Sequence, residues 1–165
     1  MSRFIAATGI LLAVTAALVG CTEEEEPKPQ WTEESAYAAA EETFRAFWAL
    51  GVRSDSRDEE AKLVTGDMAE VYSEDYESAL NGHDIEFRGD SIVVSFVTSE
   101  FREIGKQVAV EADACVDSSS LEIRVDGGDW RAPREDGIYS VNLAFSSVGE
   151  QMLISHMDES GGDVC

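Results

Sequence analysis

Basic side chains are scarce in this chain: nine arginines and three lysines stand against 34 acidic residues, a formal charge of −22 over 165 residues. Docking such a surface on a phosphate backbone would meet strong repulsion, which excludes nucleic acid as a partner. Histidine is scarcer still. His83 and His156 lie 73 positions apart with no ligand pair beside either, a poor basis for a zinc site. The sequence also has no Gly-x-Ser-x-Gly elbow, no phosphate-binding loop and no dinucleotide fingerprint, so the machinery of acyl, phosphoryl and hydride transfer is missing. The acidic groups Asp55/Asp58/Glu59/Glu60 and Asp126/Asp129 lack the glycine and spaced ligands of a calcium loop. No metal and no cofactor is expected.

Long apolar runs are absent except at the start. One basic residue, Arg3, precedes an uncharged stretch of 16 residues from Phe4 to Val19, the layout of a secretory signal peptide over residues 1 to 20. It includes Thr8, Gly9 and Thr15 and falls short of the roughly 20 residues that span a hydrocarbon core. The leader closes on Leu18-Val19-Gly20-Cys21, which resembles the bacterial lipobox. That resemblance implies a diacylglyceryl group on the Cys21 thiol and cleavage before it, leaving a lipidated N-terminus. Burial contributes about 0.8 kcal/mol per methylene and one chain alone binds reversibly, so two chains make a lasting membrane anchor. The expected location is the outer face of the cytoplasmic membrane.

Residues 21 to 30, with Glu23 to Glu26 and two prolines but nothing apolar to bury, read as a disordered acidic tether. Residues 31 to 165 are one domain by length. They keep 30 acidic and 10 basic side chains once Glu23 to Glu26, Arg3 and Lys28 are set aside, a formal charge of −20. Most of these carboxylates read as a hydrated, self-repelling surface.

The first element is a helix. Thr32 can cap it, Glu33 and Glu34 suit the positive end of its dipole, and Tyr37, Ala40, Phe44, Phe47 and Trp48 recur at three- and four-residue steps before Gly51. The pattern predicts a second helical stretch from Asp58 through Ala61, Leu63 and Val64, and a third from Asp67 to Leu80 stopped by Asn81-Gly82. From Asp84 the period becomes alternating. Ile85 and Phe87 with Ile92, Val94 and Phe96 give one strand or a bent pair around Gly89. Val108 to Val116, Tyr139 to Phe145 and Met152 to His156 give three more, the last two joined by a turn centred on Gly149. The polar segment Ser118 to Gly137 holds a short Leu121-Ile123-Val125 alternation, an excursion or edge strand. Helices followed by antiparallel strands describe an α+β fold, with helices packed on a curved four- to six-stranded sheet.

The aromatic helix with Phe44-Arg45-Ala46-Phe47-Trp48, the strand end Ala114-Cys115-Val116-Asp117 and a C-terminal cysteine resemble actinobacterial surface lipoproteins of the nuclear transport factor two-like superfamily. The resemblance implies a sheet wrapped around a helix as a cone, although Gly149 to Met152 lacks the tryptophan such proteins often carry there. With Cys21 lipidated, Cys115 and Cys165 remain as an even pair in a compartment where disulfides persist, the alternative being two free thiols. Two classes of function stand. One is a non-catalytic binding or accessory module for a small apolar ligand or an envelope protein, its pocket lined by Tyr37, Phe44 and Trp48. The other is a cone-type isomerase, cyclase or hydrolase with Asp113 or His156 as the base inside the cone. By strand alternation Asp113 lies with Glu111 and Cys115, while His156 shares a side with Met152 and Ile154 and is more simply a core residue. His83 reads as a loop residue.

Overall fold

The computed structural model describes residues 31–51, 56–72, 83–160 and 164–165. The lipobox residues Leu18, Val19 and Gly20, the attachment residue Cys21, the acidic tether, the Asn81-Gly82 stop and most of the third expected helix lie outside them.

Helix α1 (Glu33–Leu50) begins where Thr32 adopts an extended backbone, its hydroxyl accepting from the Ser35 amide (3.2 Å). The Ser35 hydroxyl in turn accepts from the Thr32 amide (2.9 Å), a reciprocal cap completed by serine rather than the usual glutamate. Ala36, Ala40, Phe44 and Phe47 recur on one stripe and are buried, while Glu41 and Arg45 pair one turn apart on the outer side. Thr43 Oγ1 donates to the Met152 carbonyl (2.7 Å) and ties the helix to the last strand. Phe44 is fully enclosed, with Phe96 at 5.9 Å and Trp48 at 5.4 Å between ring centres, and Phe96 meets Phe145 at 6.0 Å. This ring chain fills the space between helix and sheet. Burying one such side chain contributes about 1.5–3 kcal/mol.

The second helical stretch is shorter than its apolar spacing suggests. Helix α2 (Arg57–Glu60) stops at one turn. Leu63 and Val64 serve the sheet instead: the Ile154 amide donates to the Leu63 carbonyl (3.0 Å), and the Thr65 amide to the Ile154 carbonyl (2.8 Å). Helix α3 (Gly66–Val71) follows and buries Met68.

Among the described residues six strands make two antiparallel sheets. β1 (Ile85–Arg88) pairs with β4 (Glu122–Val125), so the Leu121-Ile123-Val125 alternation does form a strand, away from the main sheet. β2 (Ile92–Ile104), β3 (Gln107–Asp117), β5 (Ile138–Val148) and β6 (Gln151–Ser160) form the main sheet in the order β2-β3-β5-β6. α1 lies against β2, β3 and β6. β3 and β5 keep strict alternation, with Val108, Val110, Ala112, Ala114, Val116 and Val141, Leu143, Phe145 facing the helices. Val148 and Gln151 pair across a two-residue turn in which Gly149 has φ 61°, as a type II′ hairpin requires of its first central residue.

Edge strand β2 departs from the expected parity. Its pairing shifts at Val94 and again at Ser99, each an extra residue that turns the following side chains over. Val93, Phe96 and Phe101 therefore pack on the core, and Ile92 and Val94, expected inside, are exposed. Arg45 Nη1 donates to the Val93 carbonyl (3.0 Å), taking up one acceptor of this edge.

Candidate functional site

At the end of the main sheet, beside the C-terminal turn of α1, a cleft of about 190 Å³ opens between Phe47, Trp48, Gly51, Ser91, Ser118, Leu121 and Tyr139. Two close backbone approaches build its floor. A Cβ at Gly89 would sit 2.0 Å from the Ser120 carbonyl oxygen, and φ there is +85°, so only glycine allows the β1–β2 connection to lie against the loop after β3. On the other side a Cβ at Gly137 would fall 2.7 Å from Ser119, and the Ser118 amide donates to the Gly137 carbonyl (2.7 Å). The loop 118–121 is thus clamped between two glycines. Within it the Ser119 hydroxyl and amide donate to Asp117, which holds that carboxyl below its usual range.

The clamp sets Ser118 beside Ser91, their hydroxyl oxygens 2.5 Å apart, and Trp48 Nε1 donates to Ser91 Oγ (2.8 Å). Trp48 and Tyr139 face each other edge to face at 6.4 Å. The Arg134 guanidinium stacks on the Tyr139 ring at 4.3 Å and pairs with Glu159, which braces the ring. Aromatic and aliphatic walls over a hydroxyl floor, with no carboxylate, imidazole, ammonium or guanidinium among the lining side chains, can hold an apolar group and orient it.

Of the three side chains expected to line a pocket, Trp48 does so. Phe44 is a core residue with no free surface, and Tyr37 packs edge-on against Phe101 (6.4 Å), away from the cleft. Partial burial and then the neighbouring Glu33 raise the Tyr37 phenol above its ordinary range. Ser91, Ser118 and Leu121 were not foreseen, because they come from loops whose meeting depends on the clamp rather than on any local pattern.

The two residues considered as a catalytic base lie elsewhere. Asp113 points, as alternation requires, to the face of the sheet opposite the helices. His156 does not share a side with Ile154: Ser155 is an extra residue between the pairs Phe145/Ile154 and Ala144/His156, and it turns the imidazole out to the same open face. There both line a shallow depression of about 210 Å³ with Glu111 and Asn142. Asn142 donates to Asp113, and a His156 nitrogen lies 2.5 Å from Asp158, with slightly more than half of the histidine side chain (53%) in solvent. Neither side chain faces the helices. His83 lies 2.5 Å from Asp126, whose carboxyl is held below its usual range by the Asp84 amide first and then by His83. On the small sheet Arg88 and Arg124 flank the Trp130 ring at 4.4 and 4.8 Å and pair with Glu122 and Glu86, a self-satisfied charged face. Among the described residues no group of three or more His, Cys, Asp or Glu side chains could hold a metal ion, and no helix is long and apolar enough to cross a membrane.

Cys115 and Cys165 are joined by a disulfide, with Cα atoms 5.1 Å apart. The bond carries the end of the chain across the open face of the sheet, where Ser95 Oγ also donates to the Val164 carbonyl (3.4 Å).

No protein-family model and no curated protein matches the chain. Among solved structures the chain is similar to one described as the periplasmic domain of DotI, with a TM-score of 0.48 and 6% identity over 80% of this chain and 97% of that one. It is also similar to the intermembrane space region of chloroplast protein ARC6, with a TM-score of 0.43 and 14% identity over 81% of this chain and 100% of that one.

Proposed function

We propose that the protein is an extracytoplasmic, membrane-tethered binding module without catalytic activity, on the nuclear transport factor two-like plan, which holds a small apolar ligand in the cleft beside Trp48. The lipobox Leu18-Val19-Gly20-Cys21 supplies the tether through two acyl chains on Cys21, and the acidic residues 21 to 30 lead to the folded part. The Cys115–Cys165 bridge supports an oxidising compartment such as the outer face of the cytoplasmic membrane. The packing of α1 across β2, β3 and β6 supports the helix-on-sheet plan.

One observation carries the binding reading: the apolar cleft is free of carboxylate and imidazole groups, whereas the two candidates for a base, a half-buried Asp113 and an exposed His156, lie on the opposite face of the sheet. Complementation of a deletion strain separates the two classes. Asp113→Asn and His156→Ala are expected to restore the phenotype fully, and Leu121→Arg, which puts a charge into the cleft, to fail while retaining the wild-type circular dichroism. The reverse pattern would establish the isomerase, cyclase or hydrolase alternative. Mass spectrometry of the mature chain tests the anchor, and an unmodified Cys21 thiol there would remove the tether from the account.

A further inference from the structure

The serine pair on the cleft floor restricts what the cleft accepts. This inference rests on the binding reading above. Ser91 and Ser118 are each at least nine-tenths buried, and between them they have two hydroxyl hydrogens. One hydrogen bridges the two oxygens. The other has no acceptor among the described residues, whichever serine donates: if Ser91 donates, Ser118 keeps its hydrogen, and if Ser118 donates, Ser91 keeps its own while accepting from Trp48 and Ser118. A buried donor left over in this way takes an acceptor from outside the chain, and a ligand that displaces water from the cleft keeps that bond only if it brings an acceptor of its own.

Size and charge narrow the class further. The cleft of about 190 Å³ is small for a drug-sized ligand but exceeds the roughly 150 Å³ that admits a benzene ring in an engineered apolar cavity. No cation lines the cleft to receive an anion, and the acidic chain repels one. We propose that the cleft binds a free, neutral, single-ring molecule carrying one hydrogen-bond acceptor, of the aryl or cyclic ketone class, with the ring between Trp48, Phe47, Leu121 and Tyr139 and the acceptor on the serine pair.

The test uses the full chain carrying Cys21→Ala, so that no acyl chain competes, and three probes: acetophenone, cumene (close in size, with a methyl in place of the oxygen) and benzoate. Binding is read from the Trp48 indole N–H resonance. Acetophenone is expected to move this signal at concentrations where benzoate does not. In Ser91→Ala/Ser118→Ala/Trp48→Phe, which removes the hydroxyls together with the indole N–H they would leave unpaired, the affinity for acetophenone relative to cumene, read by ligand-observed NMR, should fall about fivefold to tenfold, the worth of one neutral hydrogen bond. A measurement that needs no variant is the carbonyl stretch of acetophenone bound to Cys21→Ala protein, expected at lower wavenumber than in hexane. An unshifted stretch, an unchanged acetophenone-to-cumene ratio in the triple variant, or benzoate binding as tightly as the ketone would overturn the ligand class and leave the cleft a binding site. Failure of both neutral rings to move Trp48 at millimolar concentration would take the binding reading down with it.

Discussion

Opening the Cys115–Cys165 bond should cost this protein a large share of its stability, and the size of the loss follows from the loop it closes. The two cysteines are 50 positions apart, and for a loop of that length the chain-entropy relation gives about 4 kcal/mol at 25 °C. Unfolding in urea, followed by tryptophan fluorescence with and without a phosphine reductant, measures it directly. For a slope of ~2 kcal/mol per molar urea the midpoint should fall by about 2 M. The relation places the effect in the unfolded chain, so the route by which the cross-link is lost should not matter. Cys165→Ala, which changes only an exposed residue at the end of the chain, should reproduce the reduced protein within error. Cys115→Ser should be worse than either, because Cys115 is buried in the sheet and a hydroxyl there also needs a partner. A midpoint shift below about 0.5 M on reduction, or a marked difference between reduction and Cys165→Ala, would refute the entropic account.

Gly89→Ala should destabilise the fold and disorder the cleft, since its Cβ would strike the Ser120 carbonyl and its backbone would stay left-handed; a cost above ~2 kcal/mol by urea unfolding, with loss of the Trp48–Ser91 signature, is expected. Phe44→Ala removes the ring that joins Trp48 to Phe96 and should cost about 3–5 kcal/mol in the same assay, and a loss below ~1 kcal/mol would mean that the core is not where the ring chain puts it. Acid should weaken the fold through Asp117, Glu122 and Asp126. Ser119 holds the first of these below its usual range, Arg88 the second, and the Asp84 amide and His83 the third. Their folded values lie below the unfolded ones, so the unfolded chain takes up more protons, and the stability they supply is complete above the ordinary carboxylate range and lost as pH falls below about 4. Thermal midpoints across pH 2 to 6 should fall less steeply in Asp126→Asn than in the wild type, and parallel curves would count against this assignment.

Elements governed by a local period could be read from the chain. α1 shows itself through Thr32 and the recurrence of Ala40, Phe44 and Phe47, and β3 and β5 through an alternation unbroken along most of their length. What escaped is parity after an interruption. A bulge adds one residue and inverts every side chain beyond it, yet Val94, Ser99 and Ser155 look like ordinary strand residues. One trace was present: Phe96 and Phe101 are an odd number of positions apart, so both can reach the core only if the strand is interrupted between them. The cleft was half visible. Trp48 belongs to a periodic helix, but Ser91 and Ser118 meet only because two glycines let separate backbones touch, a long-range condition that no window of sequence reports.

The interruptions in β2 bear on how copies of this protein behave when crowded. A border strand of 13 residues carrying exposed Ile92, Val94 and Val97 would ordinarily invite a neighbour to extend the sheet without limit, the first step toward fibrils. With kinks at Val94 and Ser99, and Arg45 occupying the Val93 carbonyl, a second copy finds no straight stretch of hydrogen-bonding groups to zip along. The same irregularity therefore denies this border to other copies of the chain, so that molecules brought close together stay separate.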